Sequence, residues 1–301
     1  MEKILKSLVV LLVLLHSVTF SFAQGHNDVG KTLGIKLNPA QHGYAPVNGL
    51  KMYYEIYGKG EPLVLLHGAY SAIPSSFERL IPELSKTRQV IAVELQGHGR
   101  TADIDRPITY EQMADDVAAF LGQLKIKKAD LFGYSMGGGV ALQVSMRHPQ
   151  LVRKLVLAAA SYKTEGCYAE MWEMIPTLTP EMFENTPIKK EYDSLAPRKE
   201  FAKLFAKVKK LDETKFDWGA DKIKVIKSPM LLIIGDGDVV RPEHAVEMFR
   251  LAGGGVPADL KGLPNSQLAI LPGTTHVTLI YQTNLLLAMV PPFLDAPMPK
   301  L

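Results

Sequence analysis

Short apolar runs alternate with helical repeats along most of the chain. The runs are bounded by Gly, Pro or charged residues, as expected of strands buried on both faces of a parallel sheet. They cover residues 63–66, 90–93, 130–132, 155–158, 230–234 and 268–271. Residues 110–124 and 137–146 place apolar side chains at helical spacing. The pattern predicts an α/β fold with a mostly parallel, doubly wound sheet.

A hairpin is predicted ahead of the first buried run. Asn48 and Gly49 are the pair preferred in type I′ turns, and the aromatic-rich segment 50–57 follows them. Residues 24–43 are polar and aperiodic, so we expect a flexible N-terminal tether there.

The alternation stops between residues 161 and 227, where no convincing strand pattern occurs. Within this stretch, residues 198–211 carry apolar side chains at helical spacing. Lys203, Lys207 and Lys210 lie on the opposite side of that helix, which is predicted to face solvent. The sequence therefore predicts a helical lid at 161–227, inserted into a core formed by 44–160 and 228–301.

The first 23 residues have the composition of a signal peptide. Lys3 and Lys6 precede an apolar run at 8–15, and Ser21 and Ala23 are the small residues that a signal peptidase recognises. The run is shorter than the roughly 20 residues that span a bilayer. We expect cleavage after Ala23 and export, to a periplasm or the medium, with no stable membrane anchor.

Composition narrows the class of protein. The chain is 47% hydrophobic and 22% charged, which is typical of a folded globular protein. Its 34 Lys and Arg against 31 Asp and Glu give a formal charge of +3, too balanced for a nucleic-acid binder. A single cysteine, Cys167, excludes an internal disulfide and a cysteine-based metal cluster. No metal or cofactor is expected, and no cluster of charges indicates a charged substrate.

The sharpest local signal is the pentapeptide Gly133-Tyr134-Ser135-Met136-Gly137, between a predicted strand and a predicted helix. A nucleophile elbow needs small residues two before and two after its serine, because the chain turns very sharply there. A phosphate-cradling Gly-rich turn is the alternative, but the spacing fits neither G-x-G-x-x-G nor a P-loop. The pattern favours Ser135 as a nucleophile.

A nucleophilic serine needs a base and an acid that orients the base. Asp236 and Asp238 follow the strand run at 230–234, and His276 follows the run at 268–271. Both loops come after the carboxyl end of a strand, where open α/β sheets place their sites. Among the histidines, only His276 has this context after the serine.

These features together resemble the α/β-hydrolase fold family, in its esterase, lactonase and cofactor-free haloperoxidase branch. The resemblance runs from about residue 43 to 293 and includes His67-Gly68, the turn at 96–100, the elbow, the acid loop and the late histidine. Glu94 departs from it, because family members commonly carry Asp there.

The resemblance implies particular roles. In the family the acid lies four residues before a proline, which selects Asp238, ahead of Pro242, over Asp236. The oxyanion hole is implied at the backbone N–H groups of Ala69 and Met136. His67 and His98 are expected to be structural.

The resemblance implies a serine hydrolase acting on a small carboxylic ester or lactone, since related dehalogenases and epoxide hydrolases carry Asp at the elbow. The alternatives are a perhydrolase or haloperoxidase-like enzyme, a C–C bond hydrolase or lyase of the same fold, or a non-catalytic small-molecule-binding protein. Candidates for the substrate pocket are Tyr70, Tyr134, Trp172 and Met174; packing of the lid on the core is the alternative role for its apolar residues.

Overall fold

One sheet of eight strands runs through the protein in the computed structural model, which describes residues 34–298. The strands are β1 (Gln41–Val47), β2 (Leu50–Tyr57), β3 (Glu61–Leu66), β4 (Arg88–Val93), β5 (Ala129–Tyr134), β6 (Val152–Ala158), β7 (Met230–Gly237) and β8 (Gln267–Thr275). Their order is β1-β2-β4-β3-β5-β6-β7-β8, antiparallel only where β2 pairs with β1 and β4. The predicted mostly parallel α/β sheet is confirmed.

The N-terminal hairpin forms where the turn residues predict it. Val47 pairs with Leu50 across Asn48 and Gly49, whose φ angles of 48° and 82° are those of a type I′ turn. β1 begins at Gln41, so the last three residues of the predicted tether pair with β2. The predicted signal peptide and most of the tether lie outside the described residues.

Helices cover both faces of the sheet. They are α1 (Ile73–Phe77), α2 (Ile81–Leu84), α3 (Tyr110–Gln123), α4 (Met136–Arg147), α5 (Ala169–Met174), α6 (Pro187–Leu195), α7 (Phe201–Glu213), α8 (Ala220–Lys224), α9 (Pro242–Leu251), α10 (Ala258–Lys261) and α11 (Thr283–Asp295). α3, α4 and α9 pack on one face, and α1, α2 and α11 pack on the other. Strand residues alternate between the two hydrophobic cores, as required of a sheet buried on both faces.

The segment between β6 and β7, residues 161–227, forms the helices α5 to α8 and contains no strand of the sheet. α7 buries Phe201, Leu204, Phe205, Val208 and Leu211, the apolar positions that its spacing predicts.

The prediction that the lysine side of α7 faces solvent is wrong for Lys207. Its ammonium group donates to the Asp103 carboxylate at 2.7 Å and to the carbonyl oxygens of Ile104 and Arg106 at 2.7 and 2.8 Å. Lys203 also pairs with Asp103, at 3.2 Å, whereas Lys210 is exposed. An acidic loop distant in sequence therefore binds this face to the core.

Within residues 34–298, no helix is long and apolar enough to cross a bilayer.

Candidate active site

Ser135 forms the turn between a strand and a helix. β5 ends at Tyr134 and α4 begins at Met136, so the whole reversal falls on one residue, with φ 54° and ψ −118°. Such a conformation is costly for a residue with a side chain and persists only where the surroundings enforce it. The Ser135 N–H donates to the carbonyl oxygen of Ala158, at the end of β6, at 2.8 Å. The serine is therefore fixed at the carboxyl edge of the sheet.

Glycines on either side make this turn possible. A Cβ at Gly133 would lie 2.2 Å from the carbonyl oxygen of Gly137. A Cβ at Gly137 would lie 2.1 Å from the carbonyl oxygen of Leu66, at the end of β3. Backbone atoms cannot move aside as a flexible side chain can, so the close approach requires glycine at both positions.

His276 and Asp238 complete a hydrogen-bonded chain with the serine. The Ser135 hydroxyl donates to His276 Nε2 at 2.9 Å, and His276 Nδ1–H donates to Asp238 Oδ1 at 2.8 Å. Asp238 is buried, and its carboxylate also accepts from the N–H of Val240 at 3.0 Å. His276 remains partly accessible, with 21% of its side chain exposed. The arrangement orients the imidazole to take a proton from the serine.

The structure separates the two candidate acids. Asp236 is exposed, and its carboxylate accepts from the N–H of Thr274 at 3.1 Å. Hydrogen bonds from backbone N–H groups, those of Gly273 and Thr274 first, hold the pKa of Asp236 below its usual range. It caps the loop that carries His276, whereas Asp238 contacts the imidazole directly.

Tyr134 supports the histidine loop. Its ring is buried, and its hydroxyl donates to the carbonyl oxygen of His276 at 3.0 Å. Gly235 brings the same loop close to β7, because a Cβ there would lie 2.0 Å from the carbonyl oxygen of Thr274. Tyr134, predicted to line the substrate pocket, is placed where it positions His276.

The turn after β3 lies against the serine. A Cβ at Gly68 would lie 3.5 Å from the Ser135 Cβ, so Ala69 follows directly beside the site. Met136 is the first residue of α4, and the N–H groups of a first turn have no intrahelical acceptor. The structure thus brings both predicted oxyanion positions to the nucleophile's end of the sheet.

The other predicted pocket residues have different surroundings. Tyr70 packs under the helical segment, with its ring centroid 5.4 Å from that of Phe183 and 5.9 Å from that of Phe205. Trp172 donates from Nε1 to the carbonyl oxygen of Thr164 at 2.9 Å and packs in a small apolar cluster with Cys167, Ile234, Val240 and Ala245. Met174 ends α5 and is partly buried.

The remaining conspicuous polar residues are buried in the framework. His67 Nε2 accepts from the N–H of Leu95 at 3.0 Å, and burial lowers the pKa of His67 to about 3 and that of His98 to about 4. Burial raises the pKa of Glu94 to about 7, although Arg100 donates to its carboxylate at 2.7 Å. These contacts fix the turns after β3 and β4.

No group of three or more His, Cys, Asp or Glu residues in the described part of the chain could hold a metal ion. Burial raises the pKa of the Cys167 thiol to about 11, so that thiol is protonated at neutral pH.

One residue near the site has no motif in the sequence that indicates it. Asp212, on α7, is partly buried and interacts electrostatically with His276. The helical spacing of residues 198–211 shows that Asp212 comes at the end of the apolar face of α7. Nothing in the sequence indicates that this end of α7 packs near His276.

Comparison with known proteins supports the fold. The sequence profile of the α/β hydrolase fold family matches residues 61–202, which include Ser135 and end before Asp238. The chain has the α/β-hydrolase fold, and the family's profile covers a little under half of its length.

Named relatives are similar over shorter stretches. The 2-hydroxymuconate semialdehyde hydrolase of Pseudomonas sp. strain CF600 is 35% identical over 43% of this chain and 48% of its own. The sn-1-specific diacylglycerol lipase of Danio rerio is 36% identical over 39% of this chain and 37% of its own. The match therefore spans less than half of either relative's length.

A solved structure matches over much more of the fold. The enol-lactonase from Burkholderia xenovorans LB400 aligns with 84% of this chain and 100% of its own, with a TM-score of 0.64 and 23% identity. This likeness shows the shared fold.

Proposed function

We propose that the protein is a serine hydrolase that cleaves small carboxylic esters or lactones through an acyl-enzyme on Ser135. The observation that carries the proposal is the continuous chain of hydrogen bonds from the Ser135 hydroxyl through His276 to Asp238, at 2.9 and 2.8 Å. A serine hydroxyl becomes an effective nucleophile when a base so oriented removes its proton.

The geometry supports a two-step acyl transfer. Ser135 Oγ attacks the substrate carbonyl carbon while its proton passes to His276 Nε2, and the buried Asp238 carboxylate stabilises the imidazolium. His276 then gives that proton to the departing alkoxide oxygen as the C–O bond breaks. A water molecule attacks the acyl-enzyme with His276 again as base, and the acid is released as Ser135 regains its proton.

Two backbone N–H groups are suited to the developing oxyanion. Ala69 follows Gly68 in the turn after β3 that lies against Ser135, and Met136 begins α4 directly after Ser135. Backbone donors fixed by a strand end and a helix start need no reorganisation during reaction, and each contributes about 3 to 4 kcal/mol to the transition state in comparable sites.

The ester or lactone substrate is supported by the relatives' names, a lipase and an enol-lactonase. A C–C bond hydrolase is the second candidate, because the 2-hydroxymuconate semialdehyde hydrolase is 35% identical over its matched stretch. The two are distinguished by the substrate that is turned over.

Hydrolysis of 4-nitrophenyl acetate, butyrate and octanoate tests the proposal, with a panel of small lactones beside them. We expect release of nitrophenolate by the wild-type protein and its loss in Ser135→Ala. Activity that survives in Ser135→Ala would remove the serine mechanism. Turnover of a vinylogous diketone with no ester or lactone hydrolysis would favour the C–C hydrolase.

We also propose that the protein is exported after cleavage following Ala23. The charged start, the apolar run at 8–15 and the small residues Ser21 and Ala23 support this. N-terminal sequencing of the protein recovered outside the cytoplasm should begin at Gln24; an intact Met1 in that fraction would contradict it.

A further inference from the structure

The helix face that covers the site ends in a carboxylate. Phe201, Phe205, Val208 and Asp212 are spaced four, three and four residues apart, which places them along one face of α7. The Phe201 and Phe205 rings lie 6.4 and 5.9 Å from the ring of Tyr70, the residue that follows Ala69. The face of α7 turned toward the oxyanion side of the site therefore carries Asp212 at its C-terminal end.

Asp212 faces groups from several separate parts of the chain. Its carboxylate interacts electrostatically with His276, with the hydroxyl groups of Tyr70 and Tyr110, and with the Cys167 thiol. The exposed Glu213 is its neighbour on α7. These groups come from the loops after β8 and β3, from α3 and from the start of the helical segment, so the Asp212 carboxylate lies close to His276 where these segments meet.

Within residues 34–298, no side chain or backbone group donates a hydrogen bond to the Asp212 carboxylate, and no Lys or Arg pairs with it. Burial raises the pKa of Asp212 to about 7, and only the interaction with His276 opposes the shift. Glu191 in the same segment differs, because it accepts from the Ser75 N–H and hydroxyl at 2.9 and 2.6 Å. A partly buried carboxylate without a partner is less well solvated than one in water, and a ligand that supplies a cationic partner is stabilised by it.

Tyr110, which interacts electrostatically with Asp212, belongs to a group of packed aromatic rings. Tyr110 lies 5.3 Å from Trp218 and 5.6 Å from Phe216 between ring centroids. The rings of Tyr110 and Trp218 both reach Gly139, in the first turn of the helix that Ser135 begins. Aromatic faces attract alkylammonium groups, and a nearby carboxylate adds a direct charge interaction.

The geometry points to Asp212 as the residue that binds a positively charged group of the substrate, so that the site favours esters or lactones carrying an ammonium group over neutral or carboxylate-bearing ones. This inference rests on the proposed ester or lactone hydrolysis. It also disfavours the muconate-type substrate that names one relative, because that substrate would bring a second carboxylate toward Asp212.

Three phenyl esters with one acyl length and different charge test the inference. They are phenyl 4-(trimethylammonio)butyrate, its uncharged isostere phenyl 5,5-dimethylhexanoate, and phenyl hydrogen glutarate. We expect kcat/KM of the wild-type protein for the cationic ester to exceed that for the neutral one about tenfold, and the anionic ester to be the poorest of the three. In Asp212→Asn the cationic and neutral esters should become equal.

Glu213→Gln is the matched control, since it removes the same charge one residue away on the exposed side of α7. It should keep the tenfold preference if Asp212 acts by direct contact. Equal rates for the cationic and neutral esters in the wild-type protein, or a preference that persists in Asp212→Asn, would overturn the inference. Asp212→Asn should not lower the melting temperature, because it removes an unpaired charge from a partly buried position.

A binding measurement keeps this test separate from the proposed function. Affinities of the cationic and neutral esters for Ser135→Ala are compared by calorimetry with those for Ser135→Ala combined with Asp212→Asn. If no ester is hydrolysed, the proposed function fails. A cation preference in binding that disappears in the combined variant then still supports Asp212, and equal affinities for Ser135→Ala overturn it.

Discussion

At the residue scale, the two aspartates of one loop have different surroundings and should differ in effect. Asp238 is buried and accepts from His276, whereas Asp236 is exposed and caps the neighbouring backbone. Asp238→Asn should lower kcat by about 10³- to 10⁴-fold, because the asparagine no longer favours the protonated imidazole or its reactive tautomer. Steady-state hydrolysis of 4-nitrophenyl butyrate measures the loss.

Asp236→Asn is the control, with the same substitution two residues away. It should keep most of the activity, and both variants should melt close to the wild-type temperature. Near-normal turnover in Asp238→Asn together with loss in Asp236→Asn would reverse the assignment of the acid.

Ser135 and His276 could be predicted from local sequence, because each lies in a short recognisable context. Ser135 lies between glycines at a strand end, and His276 lies in the loop after a strand. Asp212 could not be found in that way. Its neighbours His276, Tyr70 and Tyr110 come from distant segments, and their meeting depends on how α7 packs. The partner of Lys207, Asp103, was hidden for the same reason.

At the scale of single elements, the sharp turn at Ser135 depends on neighbouring residues that have no Cβ atom. A Cβ at Gly137 would lie 2.1 Å from the carbonyl oxygen of Leu66, so α4 would have to move away from β3. Gly137→Ala should lower the free energy of unfolding by about 1 to 3 kcal/mol and reduce kcat, because Ser135 and the Met136 N–H move with α4. Urea unfolding and ester hydrolysis measure the two effects.

Gly122→Ala is a suitable comparison, because Gly122 is helical in α3 and a Cβ there meets nothing within 4 Å. It should raise the unfolding free energy, by up to about 1 kcal/mol, without changing kcat. Equal behaviour of the two variants would mean that the close approach at the elbow is unimportant.

The helical segment 161–227 is attached to the core at Lys207. Lys207→Met removes the closer of the two ammonium groups at the Asp103 carboxylate, Lys203 being the other, and takes that donor away from two carbonyl oxygens. The loss should cost about 1 to 3 kcal/mol. Hydrogen exchange should become faster in α7 and at residues 103–106. Lys210→Met, at an exposed position of the same helix, should leave exchange unchanged. Unaltered exchange in Lys207→Met would show that the apolar face alone fixes α7.

The presence of each buried strand could be predicted from the apolar runs, whereas the strand boundaries depend on which residues pair with a neighbouring strand. Each predicted apolar run lies within a strand, and every run except that of the edge strand β8 is buried on both faces of the sheet. β1 extends three residues into the predicted tether, because Gln41, His42 and Gly43 find partners on β2 that their polarity did not suggest. Strand pairing of this kind depends on residues distant in sequence, so it cannot be predicted from the composition of the paired segment alone.

At the scale of the whole molecule, buried histidines couple stability to pH. Burial lowers the pKa of His67 to about 3 and that of His98 to about 4. Between about pH 6.5 and these values the unfolded chain binds protons that the folded protein does not, so stability falls as the pH falls. Each histidine should contribute a loss of about 1.4 kcal/mol per pH unit in that window and no loss above about pH 7.

Urea unfolding across this window checks the coupling. His98→Gln should reduce the slope of unfolding free energy against pH by one proton. A slope that His98→Gln does not alter would mean that His98 is protonated in the folded protein.

The central claim for the whole protein is that Ser135 is an activated nucleophile, and labelling with a fluorophosphonate tests it most directly. Intact mass and peptide mapping should show one adduct per chain, on the peptide that contains Ser135, with none on Ser135→Ala and much slower formation on His276→Ala. A folded wild-type protein that forms no adduct, or an adduct that persists in Ser135→Ala, would contradict the account.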